Sequence, residues 1–345
     1  MNWSKIIPIL FFISIYIFSQ IIPVYAQDPV ISAEGAVLID VDSNRILYSK
    51  NPGEKMRIAS LTKIMTAIVA IENGNLTDTV KISDRAYGVE GSSIYLRKGE
   101  KLSLEDMLYG LMLRSGNDAA TAIAEHIGGS VEGFVFMMNE KAAFLGMENT
   151  HFRNPHGLDQ KNQYSTPRDM AILTAYALKN PVFKEIVSTK VKTVPLEGKS
   201  WDRKWYNKNK MLYKYQWADG VKTGYTSLAK RCLASSATKN GKQIAIITLS
   251  APDDWNDHIK LFEYGFNNFE WVTMVKKGEE IQEIRDVNLL TGSDFSYPLK
   301  ENEKDKITRK IILNQNKEPG RIEFYFNNKF IGSVPIIKVK NQETE

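Results

Sequence analysis

Three short strings in this chain combine a hydroxyl with a base, a carboxamide or a cation. The first, RIASLTKIMT at Arg57–Thr66, sets Ser60 and Lys63 three residues apart at the start of an apolar-periodic run. On a helix, residues three apart are neighbours, with Cβ atoms about 5–6 Å apart, so the lysine reaches the hydroxyl. A serine is a weak nucleophile until an adjacent base takes its proton. A lysine is such a base only where desolvation or another cation lowers its pKa. A helix start adds free N–H groups and positive potential, which suit an oxyanion. Read alone, the string is a common one: a serine near a helix start and an exposed lysine.

Two distant strings change its meaning. Ser115-Gly116-Asn117 follows the apolar run LEDMLYGLMLR, so it ends or interrupts a helix. It offers a hydroxyl and a carboxamide on one turn. Lys222-Thr223-Gly224 lies in a predicted strand. Its lysine supplies a cation, its threonine a hydroxyl, and its glycine a bare backbone where a substrate can lie alongside. The order and the contexts (helix, helix end, strand) match the Ser-x-x-Lys, Ser-Asp-Asn and Lys-Thr-Gly trio of class A β-lactamases and penicillin-binding proteins, with glycine in the middle of the second.

With IASLTKIMTA, LMLRSGNDAA, FRNPHGLD and DGVKTGYT, residues 30 to 340 resemble the serine-type D-alanyl-D-alanine carboxypeptidases, the low-molecular-weight penicillin-binding proteins. The middle glycine of Ser115-Gly116-Asn117 is similar to these carboxypeptidases; the β-lactamases usually have aspartate there. The resemblance implies that Ser60 attacks the carbonyl between two terminal D-alanines of a peptidoglycan stem peptide. Lys63 takes its proton, and Ser115 relays it to the leaving amine. Asn117 holds the substrate backbone and Lys63, while Lys222 and Thr223 bind the terminal carboxylate and Gly224 leaves room for the substrate. The backbone N–H groups of Ser60 and Tyr225 form the oxyanion hole. β-Lactams are implied as covalent inhibitors. No metal and no organic cofactor is implied.

Weaker expectations attach to neighbouring residues. His156 in NPHGLD borders the site, and Asp169 either pairs with it or sits at a helix start. Arg231 is either extra positive charge or a solvated strand residue. Some family members carry an arginine after the last sheet strand, whereas SAPDDWNDH has acids there. Carboxylate binding is therefore expected to lean on Lys222 and Thr223.

The elements that must position these residues follow from periodicity. GAVLIDVDSNRILYSKN reads as a hairpin, and residues 58 to 72 as a helix. Further helices are predicted over 103–129, 131–147, 166–180 and 255–269, the first capped by Ser103 with Asp106. From Asp219 three antiparallel strands follow, with Asn240-Gly241 as a tight turn. The fold class is mixed α/β: an antiparallel sheet flanked by helices, with a helical insertion, in a catalytic domain over 30–270. Short alternating strands over 272–341 predict a small all-β C-terminal domain.

Composition bounds the setting. The 345 residues are 43% hydrophobic and 25% charged, with net charge +5 and interspersed signs. That leaves no nucleic-acid footprint. Residues 1–26 carry a lysine, an apolar core and Val24-Tyr25-Ala26, the pattern of a secretory signal cleaved after Ala26; the alternative is a retained anchor. Either way the expectation is an exported protein, secreted or at the outer face of the cell membrane. The chain runs from a strand into its last residues with no amphipathic C-terminal helix, so any hold on the membrane surface is expected to be loose. The single cysteine, Cys232, reads as a small buried hydrophobe, and the four histidines show no metal-site spacing.

Rival functions are distinguishable. A class A β-lactamase needs a glutamate-held water for fast deacylation. FRNPHGLDQKNQYSTPRDM, where that glutamate is expected, contains none. A non-catalytic wall-binding protein would be expected to lose the nucleophile or base, and both are intact. Endopeptidase action on cross-links remains an alternative within the same chemistry.

Overall fold

The computed structural model describes residues 28–196, 199–282, 289–313 and 320–338. The proposed signal segment lies outside them. Strands β1 (Gly35–Asp40) and β2 (Ile46–Lys50) form the expected hairpin, with Asn44 in the left-handed region at its turn. A 3₁₀ turn, Ala59–Leu61, then leads into α1 (Thr62–Asn73), so the helix read over 58–72 begins as a tighter coil at the serine itself. A short hairpin follows, β3 (Thr79–Lys81) with β4 (Lys101–Ser103).

The stretch read as one helical run is two helices, α2 (Leu104–Arg114) and α3 (Asn117–Gly128), with Ser115-Gly116 at the break. Ser103 caps α2 by accepting from the Asp106 N–H, as the pattern predicted. Next come α4 (Val131–Phe144) and α5 (Pro167–Leu178), the latter opened by a Thr166 cap with Pro167 in its first turn. Three elements not read from the sequence follow: α6 (Pro181–Ser188), the hairpin β5 (Val191–Val194) with β6 (Arg203–Tyr206), and the single turn α7 (Met211–Lys214).

β7 (Ala218–Thr226), β8 (Lys230–Lys239) and β9 (Lys242–Leu249) are the predicted antiparallel strands. Asn240 and Gly241 both have positive φ, as the two-residue turn between β8 and β9 requires. The main sheet runs β2-β1-β9-β8-β7. One face packs on α1 to α6 around Ile64, Ile68, Leu108 and Phe183. The other is covered by α8 (Asp254–Asn268), whose Leu261 and Phe262 share a core with Leu38 and Ile246. Strand β7, which carries Lys222-Thr223-Gly224, thus lies at the border of the sheet and beside the helical block.

The C-terminal region is all β, as expected. β10 (Glu270–Val275) pairs with β12 (Phe295–Leu299), while β11 (Leu289–Thr291), β13 (Ile307–Ile312), β14 (Arg321–Phe326) and β15 (Lys329–Lys338) form a sheet in the order β11-β15-β14-β13. Its core is separate, built on Val275, Leu289, Phe324 and Val334. Arg45, in the β1–β2 turn, joins the two regions. Its guanidinium lies over the rings of Phe269, Tyr297 and Phe326 at 5.5, 5.0 and 4.6 Å. It pairs with Glu303 at 2.7 Å and donates to the Pro298 carbonyl. Trp271 Nε1 donates to Asp40 at 2.7 Å beside it.

Candidate active site

The fold brings the three strings together. Ser60, Ser115, Thr223, Gly224 and Tyr225 line one cleft of about 330 Å³, and Lys63, Asn117 and Lys222 are buried. Ser60 sits in the 3₁₀ turn, after Ala59 at φ +45°. Lys63 follows one turn later on α1, with no exposed surface. Its Nζ lies 3.2 Å from Ser60 Oγ, 2.7 Å from Asn117 Oδ1 and 2.6 Å from the His156 carbonyl. Burial drives the Lys63 pKa well below the ordinary lysine value, and the charges of Lys222 and Lys208 push it further down.

That triplet of neighbours has a chemical meaning. A neutral amine has two N–H donors and one lone pair. Asn117 Oδ1 and the His156 carbonyl can only accept, so they take the two donors. The lone pair is then left for the Ser60 hydroxyl. The geometry therefore suits a base, as well as burial does.

Ser115 caps the C-terminus of α2 in the left-handed conformation, φ +66°, and is 4% exposed. This reversal turns the chain so that α3 begins at Asn117. A Cβ on Gly116 would lie 2.8 Å from Asp118 Oδ1, so glycine fits where the β-lactamases have aspartate. Asn117 is fixed at both ends of its amide: Nδ2 donates to the Glu90 carbonyl at 2.7 Å, and Oδ1 accepts from Lys63.

On β7, Lys222 is buried beneath the cleft, and its Nζ donates to the Thr223 carbonyl at 2.8 Å. Desolvation, aided by the charge of Lys208, lowers its pKa to about 7. Gly224 suits a close approach: a Cβ there would stand a tight 3.1 Å from the Ser60 backbone nitrogen and 3.2 Å from Ala59 Cβ. The strand and the serine turn thus meet backbone to backbone, beside the Ser60 and Tyr225 amides. The Tyr225 side chain itself is 67% exposed.

Other expectations are sorted by the geometry. His156 acts on the site through its carbonyl; its imidazole Nδ1 accepts from the Leu158 N–H at 3.2 Å, and burial lowers its pKa to about 3. Asp169 does not pair with His156. It accepts from the Asn149 N–H at 3.0 Å and Thr150 Oγ1 at 2.8 Å, tying α5 to that loop. Arg231 lines the cleft, paired at 2.5 Å with Asp254 and lying 5.7 Å from the Trp255 ring centre. The acidic segment after the last sheet strand therefore holds an arginine that comes from β8. Cys232 is buried and inert, its thiol pushed up to about 12 by desolvation. No cluster able to hold a metal occurs among the described residues.

Two contributors were missed. Lys208 reaches the cleft and places its Nζ 3.2 Å from Ser92 Oγ. The His156 carbonyl is the second. Neither carries a sequence motif: one is an ordinary lysine between asparagines, the other a backbone atom.

Comparison with known proteins identifies the family. Residues 23–253 match the family model for D-alanyl-D-alanine carboxypeptidase, peptidase family S11. The chain belongs to that family. Residues 269–344 match the model for the C-terminal domain of penicillin-binding protein 5. The chain is 38% identical over 263 residues to the D-alanyl-D-alanine carboxypeptidase DacF of Bacillus subtilis, spanning 73% of this chain and 67% of that one. It is 32% identical over 348 residues to DacC of Escherichia coli, spanning 92% and 86%. Among solved structures, penicillin-binding protein 5 from Haemophilus influenzae superposes with a TM-score of 0.75 at 31% identity, covering 91% of this chain and 98% of that one. The all-β C-terminal region is thus shared with that structure, which is matched along nearly its whole length.

Proposed function

We propose that this chain is a serine-type D-alanyl-D-alanine carboxypeptidase that trims peptidoglycan pentapeptide stems through an acyl-enzyme. The observation that carries the reading is Lys63: buried, flanked by two obligate acceptors, and 3.2 Å from Ser60 Oγ. Ser60 adds to the carbonyl of the penultimate D-alanine as Lys63 takes its proton. The oxyanion is received by the backbone N–H groups of Ser60 and Tyr225. Ser115 passes a proton to the leaving amine, and D-alanine departs. Thr223 and Lys222 hold its carboxylate, with Arg231 as a further cation in the same cleft. Water then cleaves the ester, with Lys63 again as base.

β-Lactams enter the same path and stall at the ester. The one acid lining the cleft among the described residues, Asp254, is engaged with Arg231. Nothing there resembles the glutamate that activates water in class A β-lactamases, so penicillin turnover is slow. The substrate lies outside the cytoplasm, which fits an exported protein. Cleavage after Ala26 belongs to the same reading, as do a catalytic unit over 30–270 and a C-terminal unit over 272–341. N-terminal sequencing of the exported protein checks the cleavage.

The deciding experiment is mass spectrometry after incubation with a pentapeptide muropeptide and, separately, with penicillin. Loss of one alanine and a penicilloyl adduct on Ser60 are expected. Cleavage confined to cross-linked muropeptides would give the endopeptidase reading instead, and normal labelling of Ser60→Ala would overturn the assignment of the nucleophile.

A further inference from the structure

Beside the cleft lies a second groove of about 420 Å³ that the chemistry above does not use. The two adjoin through neighbouring residues. Ser92, Ser115 and Lys208 face the cleft, while Ser93, Arg114 and Tyr206 face the groove. The groove presents two exposed rings, Tyr95 at 83% and Tyr206 at 53%. It also presents the cations Arg97, Arg114 and Lys204. Arg97 and Lys204 have no acid partner among the described residues; Lys204 only lies 5.9 Å from the Tyr206 ring centre. Arg114 Nη1 donates to the Tyr206 carbonyl at 3.2 Å, which joins the wall of the groove to the end of α2.

The presentation of Tyr95 is built. Its φ is +59°, an uncommon conformation for a bulky side chain. Asp118, buried beside Asn117, fixes the loop around it. Ser93 Oγ donates to Asp118 at 2.6 Å, and the Ile94 and Leu96 N–H groups donate to it at 3.1 Å. The Tyr95 N–H donates to Ser93 Oγ at 2.8 Å, and the Asn117 N–H donates to the Ser92 carbonyl at 2.7 Å. The residues that position the cleft therefore also hold an apolar ring out in water. Exposed aromatic faces next to unpaired guanidinium and ammonium groups suit a ligand that carries both a stacking surface and carboxylates.

Resting on the proposed function, we infer that this groove binds the sugar-proximal, acidic part of the same wall strand whose D-alanine terminus enters the cleft. Tyr95 and Tyr206 stack on sugar faces; Arg97 and Lys204 pair with stem-peptide carboxylates. The enzyme then recognises an acidic glycopeptide, of which the terminal dipeptide is only the reacting end.

Calorimetry on Ser60→Ala protein tests this without turnover. Three ligands are compared: an N-acetylated tripeptide ending in D-Ala-D-Ala, the sugar-free pentapeptide, and the disaccharide pentapeptide. Affinity is expected to increase along that series. Tyr95→Ala with Tyr206→Ala should remove about tenfold from the disaccharide ligand alone, the scale of a lost aromatic contact. Arg97→Glu with Lys204→Glu should weaken both longer ligands about tenfold and spare the tripeptide. Equal affinity for all three ligands, or losses that ignore ligand length, would overturn the proposal. The same groove substitutions in protein with Ser60 intact should leave penicillin acylation unchanged; slower acylation would mean that the groove is part of the cleft. Failure of wild-type protein to release D-alanine from the tripeptide would strike the carboxypeptidase reading, whereas the binding series would still stand or fall on its own.

Discussion

The cleft and the Arg45 junction both bury a positive charge, by opposite means. Arg45 is surrounded by what a cation wants: a carboxylate, a carbonyl and three aromatic faces. Lys63 and Lys222 are buried more deeply and, among the described residues, have only neutral oxygens within hydrogen-bond reach. A charge that is fully paired stays charged and holds two regions together. A charge denied a counter-ion gives up its proton more readily: that suits Lys63 as a base, and it leaves Lys222 with a charge that a substrate carboxylate can pair. The contrast teaches where the molecule spends stability and where it gains it.

The most drastic way to break the contrast is at the base. Lys63→Met should lower D-alanine release and penicillin acylation by about a thousandfold or more, on the scale of losing an essential catalytic group. The same substitution should change Tm by only a few degrees, because it removes a desolvated amine but also strips Asn117 Oδ1 and the His156 carbonyl of their donor. A large drop in Tm would mean that these two bonds outweigh the burial of the amine. At the junction the pattern reverses. Arg45→Ala should cost about 3 kcal/mol, seen in thermal or denaturant unfolding, by stranding Glu303. Its kcat/KM should stay within about twofold of wild type, the size of effect expected of a site remote from the chemistry.

The pH profile sharpens the comparison further. Lys63 works neutral, so kcat/KM rises with pH through its depressed pKa. Lys222 works charged, so kcat/KM falls as pH rises through about 7. A bell is expected for kcat/KM, with the alkaline side relieved at saturating substrate because a bound carboxylate keeps Lys222 protonated. A flat profile from pH 6 to 9 would discard this pairing of roles. The smallest effect is expected at Tyr225→Phe: its amide, not its exposed ring, faces the chemistry, so kcat/KM on a short peptide should barely change.

Much of this was legible because the motifs name side chains whose chemistry admits few substitutes. Ser60, Lys63, Asn117 and Lys222 were picked out by three motifs and the family resemblance they carry, and Asn240-Gly241 fixes a hairpin by its backbone needs. Other parts left no such trace. The His156 carbonyl is a backbone atom, and any residue supplies one. Asp118 holds the loop bearing Tyr95 from a position adjoining the motif, where an acid reads as a helix-start charge. Arg231 is on β8 while its partner Asp254 opens α8, so their pairing belongs to tertiary structure. The helix α6 and the β5–β6 hairpin were missed because short elements carry weak periodicity.

Sheet order gives the Arg45 junction a place relative to the chemistry. Arg45 sits in the turn between β1 and β2 at one border of the main sheet, and β7 is the strand at the other. Four strand spacings, about 19 Å, separate the two edges. The C-terminal region is tied to the main sheet by two routes, the chain itself through α8 and the Arg45 cluster on the β1–β2 hairpin, at the edge away from β7. The Ser60 turn and Gly224 meet at the far edge. The Arg45 junction therefore grips the main sheet at the edge farthest from the strand that carries Lys222 and Gly224.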